Sequence, residues 1–261
     1  MRPVTLCFSG LDPSGGAGLQ ADIESIAALG GHAAVIATAL TLQDSQRVLG
    51  FTLTDPALMR EQARLLLADL PVAAFKLGML GSAEAVHCVF DSLDGHRQLP
   101  VVMDPVLAAN SGGGLARDDL RHALLDRLSL TTVITPNTLE ARQLAGCDDL
   151  DEAVARLTAA GARAIWLKGG HEAGEQLVNR LYEHGRLTLE TRQPRLPGEY
   201  HGSGCTMAAA LAALLAAGRD LRTAVRASED FVARALRAAD RPRDQGQLLP
   251  RRIAPGAADA S

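Results

Sequence analysis

Aromatic residues make up only 3% of this 261-residue chain, too few to build the stacking surfaces on which single-stranded nucleic acids are held. Positive charge is also short. Lys and Arg number 26 against 30 Asp and Glu, a formal charge of −4, and no dense basic block precedes the short Arg241–Arg252 stretch, so a footprint for a phosphodiester backbone is missing. The four cysteines, Cys7, Cys88, Cys147 and Cys205, contain no CxxC pair, which argues against a disulfide framework or zinc ribbon and suits a reducing cytoplasm. The seven histidines lack ligand spacing such as HxxxH. No basic flank followed by an apolar core leads the chain, and the alanine-rich Met207–Ala217 falls well short of the roughly 20 apolar residues of a membrane span. Neither nucleic acid nor membrane is an expected partner. The GxxxxGK[ST] phosphate loop is absent as well, and a dinucleotide fingerprint beginning at Gly16 and Gly18 breaks at Ala21.

What remains is ordinary globular composition, 47% hydrophobic and 21% charged. The length suits one α/β domain over residues 1–240, with a Pro-, Gly-, Arg- and Ala-rich tail over 241–261 expected to be loosely ordered. Val4–Phe8 reads as a strand that ends at Ser9-Gly10 and leads through Pro13 and Gly15-Gly16 into the helical pattern Leu19, Ile23, Ile26, Ala27. Further strands are predicted at Ala33–Leu42, Val48–Thr54, Ala73–Leu77, Pro100–Met103, Thr132–Thr135 and Ala164–Leu167. Between them, helices are predicted at Pro56–Leu70, Ser82–Leu93, Arg117–Leu128, Thr138–Leu144 and Leu150–Ala160. Val178–Tyr182 and Leu187–Thr191, separated by His184-Gly185, read as an edge hairpin, and helices at Thr206–Ala217 and Leu221–Ala239 close the domain. This alternation implies a mostly parallel central sheet with helices on both faces. Ligands of such sheets bind at the carboxyl ends of the strands, so the chemistry is sought in the loops that follow them.

Gly202-Ser203-Gly204-Cys205-Thr206 precedes an alanine-rich helix, and its N–H groups suit an anion; Ser203 equally reads as a helix cap and Cys205 as a small buried side chain. Lys168, before Gly169-Gly170 at a strand end, can reach a triphosphate or simply face water. Asn137 and Glu140, three apart at a helix start, can hold magnesium through water or act as a cap and a first-turn acid. Asp104, before Pro105, either organises a metal-bound phosphate or forms a turn. Gln43 offers a donor and an acceptor to a heterocycle edge, or is an exposed loop residue.

Taken in order, these pieces closely resemble the hydroxymethylpyrimidine/phosphomethylpyrimidine kinases of thiamine biosynthesis, in the ribokinase-like superfamily. The resemblance is carried by Ser9-Gly10 through Asp12-Pro13-Ser14-Gly15-Gly16-Ala17-Gly18 with Gln20-Ala21-Asp22, and by Thr38-Ala39-Leu40-Thr41 with Gln43. It continues through Lys76-Leu77-Gly78-Met79-Leu80, Asp104-Pro105-Val106, Thr135-Pro136-Asn137 with Glu140-Ala141, Lys168-Gly169-Gly170-His171 and His201-Gly202-Ser203-Gly204-Cys205-Thr206.

The resemblance implies a ribokinase-like three-layer sandwich and a cleft that holds a pyrimidine beside ATP. It places Gly10, Ala17, Asp22, Gln43, Met79 and Val106 around the pyrimidine, with Gln43 bonding the ring and Met79 and Val106 packing on it. Lys168 would reach the ATP phosphates, and Asn137, Glu140 and Asp104 would organise magnesium and its waters. Gly202, Ser203 and Gly204 would form an anion hole through their backbone. Cys205 stands where most of the superfamily has the aspartate of a GxGD motif, and a thiol whose pKa is lowered by the helix N-terminus would accept the hydroxymethyl proton or position that hydroxyl. Three departures stand out: Ser203 for a usual threonine, Gln43-Asp44-Ser45 for a frequent Gln-Asn-Thr, and Asn179 for a usual aspartate.

The implied activity is ATP-dependent phosphorylation of 4-amino-5-hydroxymethyl-2-methylpyrimidine and of its monophosphate, by a cytoplasmic homodimer. The rivals are a pyridoxal or pyridoxine kinase and a pyrimidine-binding regulator without catalysis.

Overall fold

The computed structural model describes residues 1–45, 47–107, 114–172, 174–244 and 246–253, without the side chains of 114–117. The elements run β1 (Val4–Leu11), α1 (Gly18–Ala28), β2 (His32–Gln43), β3 (Val48–Leu53), α2 (Pro56–Asp69), β4 (Val72–Leu77), α3 (Ala83–Ser92) and β5 (Val101–Met103). They continue with α4 (Gly114–Leu125), β6 (Val133–Ile134), α5 (Thr138–Ala145), α6 (Leu150–Ala159) and β7 (Ala164–Leu167), then the hairpin β8 (Gln176–Glu183) and β9 (Arg186–Pro194) and the helices α7 (Ser203–Ala216) and α8 (Leu221–Arg237). Several predicted boundaries move, among them those of two helices. The predicted Arg117–Leu128 helix lies earlier, at Gly114–Leu125, and α7 starts at Ser203 instead of Thr206.

The strands form one sheet in the order β3-β2-β1-β4-β5-β6-β7-β8-β9. β2, β1, β4, β5, β6 and β7 are parallel, and β3 and the β8–β9 hairpin join antiparallel at the two edges. Strand alternation sends neighbouring side chains to opposite faces. Leu6, Phe8, Phe75, Leu77, Met103, Ile134 and Ile165 join the core under α2 to α6. The residues between them face the other way: Val102, Val133 and Trp166 pack against α7 and α8, and Cys7 packs with Ile26 of α1 and Ala209 of α7. The α7 helix is apolar on all sides and rich in alanine, which lets it lie close to the sheet, α1 and α8 together. The result is a three-layer α/β sandwich.

Part of the segment expected to be a loose tail is tied down. Leu248 bridges to Tyr200, Leu249 bridges to Asp240, and Arg252 is buried. Residues 254–261 lie outside the described residues. No helix among the described residues is long and apolar enough to cross a membrane.

Candidate active site

Because β1, β4, β5, β6 and β7 are parallel neighbours, their carboxyl ends release five loops along one edge of the sheet. Asp104 follows β5 directly and is 2% exposed. Its Oδ1 accepts from Thr135 Oγ1, after β6, at 2.9 Å and from Lys168 Nζ, after β7, at 2.7 Å. The Lys168 N–H donates to the Pro136 carbonyl at 2.9 Å, which carries the β6–β7 pairing one step past the strands and fixes where the lysine starts. Burial opposes the Lys168 charge, but Asp104 and Glu140 outweigh it and hold the ammonium firmly protonated.

Asn137 and Glu140 form a reciprocal capping box at the start of α5, each side chain accepting the other's backbone N–H at 2.8 Å. Burial raises the Glu140 carboxyl to about 7; Lys168 pulls it down, Asp104 pushes it up and the Asn137 N–H pulls it down. The pair is therefore a cap in this structure, and it also leaves a half-buried acid beside the Lys168–Asp104 pair.

Two helix starts lack the side-chain cap that five others have. Asp55, Ser82, Asn137, Asp149 and Asp220 cap α2, α3, α5, α6 and α8 through their side chains. Neither α1 nor α7 has a side-chain cap. Their first N–H groups are left to other acceptors, with the positive end of each helix dipole. The cap position of α7 is Gly202, at φ +75°, so the structure removes the reading of Ser203 as an N-cap. A Cβ on Gly202 would overlap the Gly16 carbonyl oxygen, so the loop before α7 rests directly on the loop before α1. A Cβ on Gly204 would lie 3.2 Å from Lys168 Nζ, which places the start of α7 over the buried lysine.

His201 Nε2 lies 2.7 Å from Asp12 Oδ2 and joins the same two loops. Asp12 also accepts the backbone N–H groups of Ser14 and Ala17, each at 2.8 Å. Burial would raise its pKa, yet bonds from His201, Gln43 and Ser14 outweigh burial and hold the carboxyl well below its ordinary range.

Cys205 is half-buried in the first turn of α7. Burial pushes its thiol up; Lys76 opposes this, Asp104 and Asp22 add to it, and the Gly18 N–H opposes it. The net direction is upward, against the lowering expected from the helix N-terminus.

Asp22 also departs from expectation. It is 0% exposed, and its Oδ1 and Oδ2 lie 2.8 and 3.0 Å from the Nζ of Lys76, itself fully buried. It has no surface to offer a substrate, and it serves as the counter-ion of a lysine beneath Cys205. The other residues expected around a pyrimidine lie at the carboxyl ends of β1, β2, β4 and β5 or in the loops just after them. A Cβ on Gly10 would touch Met79 Sδ at 3.2 Å, Ala17 precedes α1, and Val106 is half-buried with its N–H on the Asp104 carbonyl at 2.8 Å. Gln43 bonds to Asp12 through its side chain. Residues 108–113 of the loop after Asp104 lie outside the described residues.

Beside this edge opens a cleft of about 500 Å³, lined in part by Asn179, Tyr200, Ser203, Met207, Glu229 and Val232, of which sequence reasoning singled out only Asn179 and Ser203. Asn179 Oδ1 accepts the Gly169 N–H at 3.0 Å, and Asn179 Nδ2 donates to Glu229 Oε1 at 2.8 Å. Thr191 Oγ1 donates to the same Glu229 oxygen at 2.6 Å. Burial nevertheless raises the Glu229 carboxyl above its ordinary value, against the bonds from Thr191 and Asn179. One sequence signal was available: Glu229 interrupts the apolar stripe of Val225, Val232 and Ala235 on α8.

A family model described as phosphomethylpyrimidine kinase matches residues 12–248. A hydroxymethylpyrimidine/phosphomethylpyrimidine kinase of Streptomyces coelicolor is 39% identical over 243 residues, covering 90% of this chain and 89% of that one. A thiamine biosynthesis bifunctional protein ThiED of Geobacter sulfurreducens is 36% identical over 244 residues; the match covers 91% of this chain and 50% of that protein, so this chain spans about half its length. Among solved structures, a pyridoxal kinase from Staphylococcus aureus in complex with AMP-PCP and pyridoxal is similar with a TM-score of 0.86 at 27% identity, over 97% of this chain and 94% of that one.

Proposed function

Because this chain belongs to the phosphomethylpyrimidine kinase family, we propose that its site transfers the γ-phosphoryl group of ATP to the hydroxymethyl oxygen of 4-amino-5-hydroxymethyl-2-methylpyrimidine, and then phosphorylates the resulting monophosphate. The carrying observation is the convergence of an uncapped helix start, the Lys168 ammonium and Cys205 at one sheet edge. In the first transfer the hydroxymethyl oxygen bonds to the γ-phosphorus, the bond to the β,γ-bridging oxygen breaks, ADP leaves, and the hydroxyl proton is released.

Phosphoryl transfer runs through a loose transition state, so catalysis rests mainly on positioning and charge stabilisation. The N–H groups of Gly202, Ser203 and Gly204, at the positive end of α7, receive the equatorial oxygens of the moving group. Lys168 neutralises the charge that passes to the leaving oxygen. With its thiol held neutral by burial, Cys205 orients the hydroxyl, and the proton departs late. The cleft beside Asn179 and Glu229 takes the nucleoside end of ATP, while Gly10, Ala17, Gln43, Met79 and Val106 enclose the pyrimidine.

The chemistry of the donors fits magnesium. Asp104 and Glu140 are hard oxygen donors close to the phosphate-binding lysine, and the described residues contain no group of three or more His, Cys, Asp or Glu able to cage a metal. Such a set suits an ion held largely by nucleotide phosphates and water, with Asn137 on the same helix start. When bound, magnesium supplies charge neutralisation at the phosphates.

Mass-spectrometric product analysis after incubation with the pyrimidine, ATP and magnesium tests the function, with both monophosphate and diphosphate expected. Binding of the pyrimidine without ADP release would instead assign a regulator. The likeness to a pyridoxal kinase favours pyridoxal as the second reading, and exclusive turnover of pyridoxal in the same assay would replace the first.

The assembly we propose is a homodimer through the β2–β3 end of the sheet, where Leu40 and Leu42 of β2 and Val48, Leu49 and Leu53 of β3 are 41–66% exposed. Light scattering is expected to give twice the chain mass for the wild type and the single-chain mass for L42K/L49K. A monomeric wild type would refute the dimer. The cytoplasm is the proposed location, since Cys7, Cys88, Cys147 and Cys205 are all free thiols.

A further inference from the structure

Arg252 lies beyond the 12–248 stretch that the family model matches, in a segment whose composition reads as loose, yet its side chain is 2% exposed. Burying a guanidinium requires partners for its rigid fork of donors, and here the partners come from three places. Nε donates to Thr206 Oγ1 at 2.8 Å, in the first turn of α7. Nη1 donates to Glu24 Oε2 on α1 at 3.0 Å and to the Gly15 carbonyl at 3.4 Å. Nη2 donates to the Gly16 carbonyl.

Each acceptor leads back to the site. Thr206 Oγ1 donates in turn to the Gly202 carbonyl at 2.8 Å, at the cap position of α7. Gly15 and Gly16 belong to the loop that runs from Asp12 to the uncapped start of α1. The chain just before Arg252 holds the same loops: His201 N–H donates to the Leu248 carbonyl at 2.9 Å, and Leu248 N–H donates to the Glu199 carbonyl at 2.7 Å. Leu249 packs on Gly16, where an added Cβ would lie 2.9 Å from its Cδ2.

We propose that Arg252 is a positioning residue that clamps the Asp12–Ala17 loop to the start of α7, so that the two uncapped helix ends converge on one phosphoryl position. It touches neither substrate nor nucleotide. Its guanidinium fixes the Gly15 and Gly16 carbonyls directly and the Gly202 carbonyl through Thr206, which holds the uncapped starts of α1 and α7 side by side. An error of about 1 Å in such a constellation lowers turnover by on the order of 100-fold. Lysine keeps the charge but cannot bond to Thr206, Glu24 and two carbonyls from one planar group.

This inference rests on the kinase reading for its catalytic consequence, and its structural part is tested without that reading. Backbone hydrogen–deuterium exchange is measured on ligand-free wild type, R252A and R252K. The expected result is at least tenfold faster exchange in R252A over residues 12–18 and 201–206, with β4, β5 and β7 unchanged, and a smaller effect in the same segments for R252K. Unchanged loops, or acceleration spread evenly through the sheet, would overturn the clamp.

The activity arm compares phosphorylated product with ADP released. R252A is expected to lower kcat by about 100-fold and to release ADP by water attack without matching product, and millimolar guanidinium is expected to restore part of the lost turnover. A lower kcat with product and ADP still equal, and no rescue, assigns Arg252 to general stability. If the wild type itself phosphorylates no heterocycle while the exchange pattern holds, the kinase reading fails and the clamp stands.

Discussion

Lys168 Nζ stands 2.7 Å from Asp104 Oδ1, with the two side chains 9% and 3% exposed, so the site's cation is held by a carboxylate almost as buried as itself. Removing one partner of such a pair strands the other charge out of water.

The Lys168→Met variant is therefore expected to lose about 3 kcal/mol of stability together with at least a 100-fold loss of ADP formation. The double variant K168M/D104N recovers much of the stability and none of the activity. Urea unfolding and a coupled ADP assay read the two effects separately. A K168M protein as stable as the wild type would contradict the buried pairing.

A thiol kept neutral by burial reacts slowly. Iodoacetamide is expected to modify Cys205 at pH 7 more slowly than free cysteine, with the rate still climbing above pH 9, as followed by mass spectrometry of the α7 peptide. Turnover of C205A is expected to fall about 100-fold, with C205S, which keeps a hydrogen-bonding group, falling less. Alkylation at pH 7 as fast as that of free cysteine would restore the lowered thiol that the helix dipole alone suggested.

Asp12 gives the acid limb of stability. Its folded pKa lies below its ordinary value of 3.8, so the stabilisation is complete above about pH 4 and is lost as pH falls toward the folded value. D12N is expected to be less stable than the wild type by about 2 kcal/mol at pH 7, with the gap in Tm narrowing below pH 4. A gap that is constant from pH 7 to pH 3 would remove the charge from the account.

Asn179 and Glu229 divide an amide and a carboxyl between positions 2.8 Å apart. N179D sets two carboxyls face to face, and one of them must keep a proton with a raised pKa. Stability is then retained at low pH and lost as pH rises through that pKa, a deficit of about 2 kcal/mol at pH 8. N179D/E229Q exchanges the two groups and is expected to restore both the stability and the KM for ATP, as a double-mutant cycle would report. Equal pH profiles for N179D and the wild type would show that the pair does not couple.

The β-then-α rhythm was legible because each parallel strand is a short apolar run followed by a polar or glycine-rich loop, and Asp104, Asn137 and Lys168 stood at those ends in the sequence itself. Contacts between distant segments were not. Asp22 lies among glycine-loop residues and reads as a cleft acid; its pairing with Lys76, 54 positions away, has no local sign. The true start of α7 at Ser203 is hidden in sequence because glycine disfavours helix, yet Gly204 lies in the first turn, where a Cβ would come within 3.2 Å of Lys168 Nζ. The burial that raises the Cys205 thiol has no local sign either. A helix start is visible in sequence, and the depth of the layer above it is not. Composition likewise made residues 241–252 look loose, since a single buried arginine anchors them from far along the chain.

Asp12 and His201 meet across 189 positions, which gives the site a history during synthesis. At about 5–20 residues per second, the glycine loop leaves the ribosome roughly ten to forty seconds before its histidine partner exists. Until then the Asp12 carboxylate has the N–H groups of its own loop and no partner from the far side of the sheet edge.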